Sequence, residues 1–297
     1  MIPLFKPYMP AKLPDLDRII QSGQLAYGKY AREFEARLAE YIGIDEVLCT
    51  SSFNSAYLVL IRTLGLGHGD EVVASPMCCL ASSQPFAVNG IKLIWADIDP
   101  STGTLDPEAV KSKITPRTRA IVHNHFCGYA GHVGEMRKIA DEHGLMLIDD
   151  VSEAFGTEYH GRKAGNWDAD ATVYSFQTVR LPNAIDGGAV SFKDPTYSQK
   201  AALLRDYGID RARFRDDLGE ISPLCDISEA AYGCLSSDVR ISACCRSPIH
   251  RNCFADSVRM PSGLRKIFLT ELNLSSLFRA RIPIIGYSER WLATNAD

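Results

Sequence analysis

The sequence has no long apolar run and no excess of one charge. No stretch approaches the ~20 consecutive apolar residues that a membrane span requires, so we expect no transmembrane segment. The net charge is −4, and this mild acidity argues against nucleic acid or a membrane surface as a partner. The N-terminal segment MIPLFKPYMP lacks the basic and apolar stretches that mark a secretion signal. We therefore expect a cytoplasmic protein.

Two chemical patterns are also missing. The nine cysteines include the adjacent pairs Cys78–Cys79 and Cys244–Cys245, but none has CxxC spacing. We therefore predict reduced thiols, with neither a disulfide framework nor a metal site. No GxGxxG turn follows the first predicted strand, which argues against a dinucleotide-binding oxidoreductase. The length of 297 residues suits one large domain and a smaller one.

Short apolar strands alternate with helical segments along most of the chain. Residues 11–43 have apolar side chains at helical spacing on both sides of a break at Gly28. Beyond them, the predicted strands include EVVAS, IKLIWADI, RAIVHNHF, LMLIDD and ATVYSF. This alternation predicts an α/β fold with a mixed, mostly parallel sheet between layers of helices. In such sheets, ligands bind at the carboxyl ends of the strands.

Three polar clusters lie at those predicted strand ends. The turn TSSFNS at residues 50–55 joins a strand to a helix, where amides and hydroxyls can bind phosphate. Helix capping alone would explain the same residues. Asp149 and Asp150 end a buried strand, where a carboxylate can pair with the ring nitrogen of a pyridoxal cofactor. An acidic loop start is the alternative. Ser175 ends a further strand and could contact the phosphate.

Taken in order, these motifs resemble the DegT/StrS family of pyridoxal-phosphate-dependent sugar aminotransferases. Other matching segments include IPLFKP, GLGHGDEV, ADIDPSTGTLDPEAV, SEAFGTEYHGRKAG and DGGAVSF. The resemblance implies a fold type I large domain, a homodimer with active sites at the subunit interface, and pyridoxal or pyridoxamine 5′-phosphate as cofactor. It also implies amino transfer from glutamate or glutamine to a nucleotide-linked keto sugar.

The resemblance also assigns roles by position. Phe53 and Asn54 would offer backbone amides to the phosphate of the cofactor, and Ser175 would add a further phosphate contact. Asp150 would hold the pyridine nitrogen. Glu153 would lie near the ring hydroxyl.

Two positions depart from the family pattern. Leu80 falls where many members place an aromatic ring that stacks on the cofactor, and leucine would cover that ring with less dispersion contact. Arg180 falls where the family has the lysine that forms the Schiff base, and no lysine lies between Lys163 and Lys193. A guanidinium stays protonated, so it cannot attack a carbonyl or shuttle a proton. It could instead pair with the phosphate or with a substrate carboxylate.

Three explanations of Arg180 remain open at this stage. The protein could bind pyridoxamine phosphate and use another base, as dehydratase members of the family use a histidine; His125 and His160 are the candidates. It could be a pseudoenzyme that keeps the fold and the cofactor site. The gene could also be damaged, because the resemblance stops after about residue 240. We therefore expect a cofactor-binding large domain over residues 1–239 and an atypical remnant of the small C-terminal domain over residues 240–297, with a frameshift or truncation near residue 240 as the hypothesis.

Overall fold

The computed structural model describes residue 13, residues 15–23 and residues 27–208. The predicted domain boundary between residues 239 and 240 lies outside these residues. The helices are α1 (Leu16–Gln21), α2 (Lys29–Ile42), α3 (Phe53–Thr63), α4 (Leu80–Val88), α5 (Pro107–Lys113), α6 (Val133–His143) and α7 (Pro195–Arg205). The strands are β1 (Leu48–Thr50), β2 (Glu71–Ala74), β3 (Lys92–Trp95), β4 (Thr118–Asn124), β5 (Met146–Asp150), β6 (Glu158–Tyr159), β7 (Arg162–Lys163), β8 (Ala171–Ser175) and β9 (Gly188–Phe192).

Seven of these strands form one sheet in the order β1-β9-β8-β5-β4-β2-β3. The pairs β2–β3, β2–β4, β4–β5 and β5–β8 are parallel. Only β9 is reversed, because it runs antiparallel to both of its neighbours, β8 and β1. The predicted α/β fold with a mixed, mostly parallel sheet is therefore confirmed. Strands β6 and β7 form a separate antiparallel hairpin.

Alternate residues of the central strands face two separate apolar cores. Val72 on β2 and Val122 on β4 pack in a cluster with Tyr57 and other residues of α3. Their neighbours Val73 and Ile121 instead pack in a cluster with residues of α5 and α6. Because successive side chains of a strand point to opposite faces, helices cover both faces of the sheet. In the part of the chain that the structure describes, no helix is long and apolar enough to cross a membrane.

The carboxyl ends of three strands meet near the start of β9. Thr50 at the end of β1 and Ser175 at the end of β8 both pair with Gly188, the first residue of β9. Asp150 ends β5 and is in register with Val173 on β8. The three polar clusters found in the sequence therefore lie along one edge of the sheet.

Gly188 also lies against the start of α3. A Cβ atom at this position would be 2.6 Å from the carbonyl oxygen of Ser52 and 2.8 Å from the Cα of Phe53. Both are backbone atoms, which cannot rotate away as the end of a flexible side chain can. The absence of a side chain at Gly188 is therefore what allows the first turn of α3 to sit on the strand ends.

We expect Gly188→Ala to lower the free energy of unfolding by ~1–3 kcal/mol, the usual cost of overpacking a closely fitted site. Urea denaturation followed by circular dichroism measures this change. Gly67→Ala is the matched control, because no heavy atom lies within 4 Å of the Cβ position there. The control should change stability by less than about 0.5 kcal/mol. Equal losses in the two variants would show that the contact at Gly188 is not tight.

Candidate functional site

The first turn of α3 presents two backbone amides that the helix itself does not use. Ser52 is the N-cap: its side-chain oxygen accepts the amide of Ser55 at 3.1 Å, and its carbonyl accepts the amide of Ala56 at 3.1 Å. The first N–H groups of a helix have no intrahelical carbonyl, which leaves the amides of Phe53 and Asn54. Together with the positive end of the helix dipole, these two free amides are suited to bind an anion. Capping thus explains the side-chain contact between Ser52 and Ser55. The binding of phosphate by the amides of Phe53 and Asn54 stays a prediction.

Asp150 is fully buried at the end of β5, where two donors hold its carboxylate. The hydroxyl of Tyr57 donates to Oδ2 at 2.8 Å, and the amide of Ser152 donates to Oδ1 at 3.0 Å. Burial, followed by the negative charge of Asp150, raises the pKa of Tyr57 well above its usual value, so the phenol stays protonated. Each carboxylate oxygen has a second lone pair. Asp150 can therefore still accept a hydrogen bond from a protonated ring nitrogen.

Asp149 faces away from Asp150. Neighbouring residues of a strand point to opposite faces of the sheet. Asp149 lies 3.1 Å from Nε2 of His125, whose ring packs edge-on against Trp167. The two aspartates form one polar cluster in the sequence. In the structure their side chains lie in two different environments. Of the two, Asp150 is the one that contacts α3, through Tyr57.

Arg180 and Glu153 form a largely buried ion pair after the end of β8. Nη1 of Arg180 lies 2.9 Å from Oε1 of Glu153, and the two side chains are 21% and 26% exposed. The other carboxylate oxygen, Oε2, accepts the amide of Cys127 at 2.9 Å. Both oxygens of Glu153 are thus engaged. The role of Glu153 near a ring hydroxyl stays a prediction, and the partner of Arg180 in this structure is a carboxylate of its own chain.

Leu80 and Ser175 are the two remaining residues that the sequence predicts at the cofactor. Leu80 is the first residue of α4, and the residue is 72% exposed, so its apolar surface is free to cover a ligand. Two residues earlier, Cys78 lies near Asp150: burial and then that carboxylate raise the pKa of the thiol to about 11. Ser175 is buried at the end of β8, beside Gly188.

The two histidines considered as alternative bases lie in other environments. His125 is fully buried, and its Nδ1 is 2.9 Å from the carbonyl oxygen of Ala130. His160 is an exposed residue with a φ of 49° at the turn of the β6–β7 hairpin, outside the seven-stranded sheet. Among the hydrogen bonds and ion pairs of the described residues, neither imidazole contacts Asp150 or Arg180.

Sequence reasoning missed two residues on which this geometry depends. Tyr57 lies in the apolar run SAYLVLI at residues 55–61, and no pattern in the sequence distinguishes it, although a buried phenol ordinarily needs a hydrogen-bond partner. Gly188 appeared only within the segment DGGAVSF. Its role requires knowing that α3 approaches β9, which spacing along the chain does not show.

These features define the large domain of a fold type I pyridoxal-phosphate-dependent transferase: a mostly parallel sheet, a helix N-terminus over its edge, and a buried aspartate at a strand end. Residues 10–240 match the DegT/DnrJ/EryC1/StrS aminotransferase family, and the chain belongs to it.

Several proteins of this family are similar over most of the chain. The dTDP-3-amino-3,4,6-trideoxy-alpha-D-glucose transaminase of Streptomyces venezuelae is 32% identical over 213 residues, which cover 72% of this chain and 56% of that protein. The L-glutamine:2-deoxy-scyllo-inosose aminotransferase of Streptomyces kanamyceticus is 35% identical over 201 residues, covering 65% and 47%. The crystal structure of the aminotransferase TlmJ from Streptoalloteichus hindustanus superposes with a TM-score of 0.68 at 27% identity, covering 79% and 64%. This chain thus spans about half the length of the curated relatives it matches.

We expect Tyr57→Phe to lower the free energy of unfolding by ~1.5–3 kcal/mol, because it removes a hydrogen bond to a buried charged group. Tyr174→Phe is the matched control: its phenol is equally buried but bonds to the neutral hydroxyl of Ser191 at 3.0 Å. Losing that bond should cost about 0.5–1.5 kcal/mol. Urea denaturation compares the two variants, and a larger loss for Tyr174→Phe would contradict the importance given to the Tyr57–Asp150 contact.

Proposed function

We propose that this chain carries the cofactor-binding domain of a nucleotide-sugar aminotransferase and holds its cofactor without a covalent link. The cofactor is pyridoxal or pyridoxamine 5′-phosphate. The reaction class is amino transfer from glutamate or glutamine to a nucleotide-linked keto sugar. Membership of the family supports this class, and so does the name of the Streptomyces venezuelae relative, which is a transaminase of a dTDP-linked sugar.

The residues along the strand ends fit such a cofactor. The amides of Phe53 and Asn54 and the hydroxyl of Ser175 would bind its phosphate, since a helix N-terminus favours an anion. Asp150 would accept the hydrogen bond of the ring nitrogen, and the donors already on its carboxylate keep that group oriented. The exposed side chain of Leu80 would cover a face of the ring. When bound, the cofactor supplies an electron sink for the substrate carbon.

The ion pair between Arg180 and Glu153 is the observation that supports non-covalent binding of the cofactor. Its guanidinium is fixed by Glu153 at 2.9 Å and stays protonated, so it cannot form a covalent bond to a carbonyl in the way a lysine amine does. The lysines on either side in the sequence are engaged elsewhere. Nζ of Lys163 donates to the carbonyl of Tyr41 at 3.0 Å, and Nζ of Lys193 lies 3.8 Å from Asp168.

A catalytically impaired protein with an intact cofactor site is the second candidate function, and the same ion pair favours it. A guanidinium is not a general base, so the proton transfers of amino transfer lack the lysine amine that usually performs them. A dehydratase-like reaction with a histidine base has less support, because the imidazoles of His125 and His160 contact neither Asp150 nor Arg180 in the described residues.

The proposed assembly is a cytoplasmic homodimer with the active site at the subunit interface. The family resemblance is the support for this assembly. The substrate would then meet residues of two subunits at each site.

We expect Arg180→Lys to restore a covalent link to the cofactor. Wild-type protein incubated with pyridoxal phosphate and reduced with borohydride should carry no stoichiometric adduct, whereas the variant should carry about one adduct per chain at residue 180, because lysine is the side chain that forms such bonds. Peptide mass spectrometry locates the modified residue.

Arg162→Lys provides the control, since Arg162 pairs with Asp168 at 2.7 Å in the β6–β7 hairpin region. This variant should gain no adduct. A stoichiometric adduct on any lysine of the wild-type chain would overturn the non-covalent assignment, and an unmodified Arg180→Lys variant that binds the cofactor would show that residue 180 does not reach it.

A further inference from the structure

Strands β4 and β5 bring two histidines and an aspartate together inside the protein. His123 and Asp149 are partners across the two strands. His125 follows two residues after His123, just beyond the end of β4. The three residues are at most 1% exposed, and one potential ligand atom of each lies within 4.8 Å of those of the other two.

The hydrogen bond of His125 shows which of its ring nitrogens carries the hydrogen. Nδ1 lies 2.9 Å from the carbonyl oxygen of Ala130, and a carbonyl can only accept, so Nδ1 carries the hydrogen. Nε2 therefore presents a lone pair unless it is also protonated. That atom lies 3.1 Å from Oδ1 of Asp149 but makes no hydrogen bond with it. Two lone pairs at this distance repel each other unless a cation, a proton or a metal ion, lies between them.

The surroundings of His123 favour a metal ion over a proton. Neither of its ring nitrogens has a hydrogen-bond partner, although the side chain is fully buried, and the same holds for both oxygens of Asp149. A proton on His125 would satisfy one contact and leave His123 without a partner, whereas a metal ion would engage all three side chains. Buried polar groups without partners are costly, so the arrangement favours the metal ion.

The spacing suits a small ion. With bond lengths of ~2.0–2.1 Å, a tetrahedral zinc ion sets its ligand atoms about 3.3 Å apart. Oδ1 of Asp149 lies 3.1 Å from Nε2 of His125 and 4.0 Å from Nδ1 of His123. These two distances bracket the tetrahedral value.

We propose that His123, His125 and Asp149 bind a zinc ion. Imidazole and carboxylate are ligands that zinc prefers, and the nitrogen donors argue against calcium or magnesium. A water molecule can take the fourth position of a tetrahedral site. The carbonyl of Ala130 acts as the outer-shell partner that orients a metal-binding histidine. The ion ties β4 to β5 and so fixes the strand end that carries Asp150. The earlier prediction of no metal site considered cysteine spacing alone.

The test measures zinc in the purified full chain. After expression with added zinc and passage through a chelating column, elemental analysis should give about one zinc ion per chain, because a buried site releases its ion slowly. The five cysteines between Cys225 and Cys253 could also bind zinc, so the same analysis is repeated after native alkylation of the thiols. The zinc should remain.

His123→Ala and Asp149→Asn should each reduce the zinc content to nearly none, while the exposed His143→Ala retains it. A cobalt titration of the wild-type chain is a second measurement that does not require the variants to fold: it should give visible ligand-field bands without thiolate charge transfer. Loss of zinc on alkylation, thiolate bands with cobalt, or no binding of either ion by the wild-type chain would each overturn the proposal.

Discussion

At Gly188, the backbone of β9 runs so close to the first turn of α3 that a side chain has no room. This contact places the amides of Phe53 and Asn54 beside the ends of β1 and β8, because Thr50 and Ser175 both pair with Gly188. A reversed strand thus brings a helix N-terminus to the edge where the parallel strands end. The geometry proposed for phosphate binding is a consequence of backbone packing more than of any single side chain.

The two consecutive aspartates of β5 point to opposite faces of the sheet. Asp150 turns toward α3, where the phenol of Tyr57 holds it 2.8 Å away. Asp149 turns toward the buried histidines on and just after β4. Tyr57 thus holds this strand end on one face, and the proposed zinc ion would hold it on the other. Because one residue of slip would exchange the two carboxylates, the register of β5 is closely tied to the function proposed for the chain.

Much of this fold could be predicted from local patterns, and the rest depends on partners distant in sequence. Apolar runs located the strands, and Gly28 correctly marked the break before α2, where it is the N-cap. Periodicity does not give strand direction, so the reversal of β9 was not foreseen. Tyr57 and Asp150 are 93 residues apart, and no spacing rule connects them. The pairing of Arg180 with Glu153 was missed for the same reason, although the chemical consequence of an arginine at that position was clear from the residue alone.

We propose that the strand ends form a reversible cofactor site in which Asp150 binds the ring nitrogen. Calorimetric titration of the full chain with pyridoxamine phosphate tests it most directly, because an amine cannot form the covalent link to lysine. We expect saturable binding of about one ligand per chain, with the affinity weakened about tenfold or more in Asp150→Ala, because that variant loses a hydrogen bond to a charged group. The exposed Asp45→Ala should bind as the wild type does. No binding by the wild-type chain, or equal affinity in Asp150→Ala, would contradict the account.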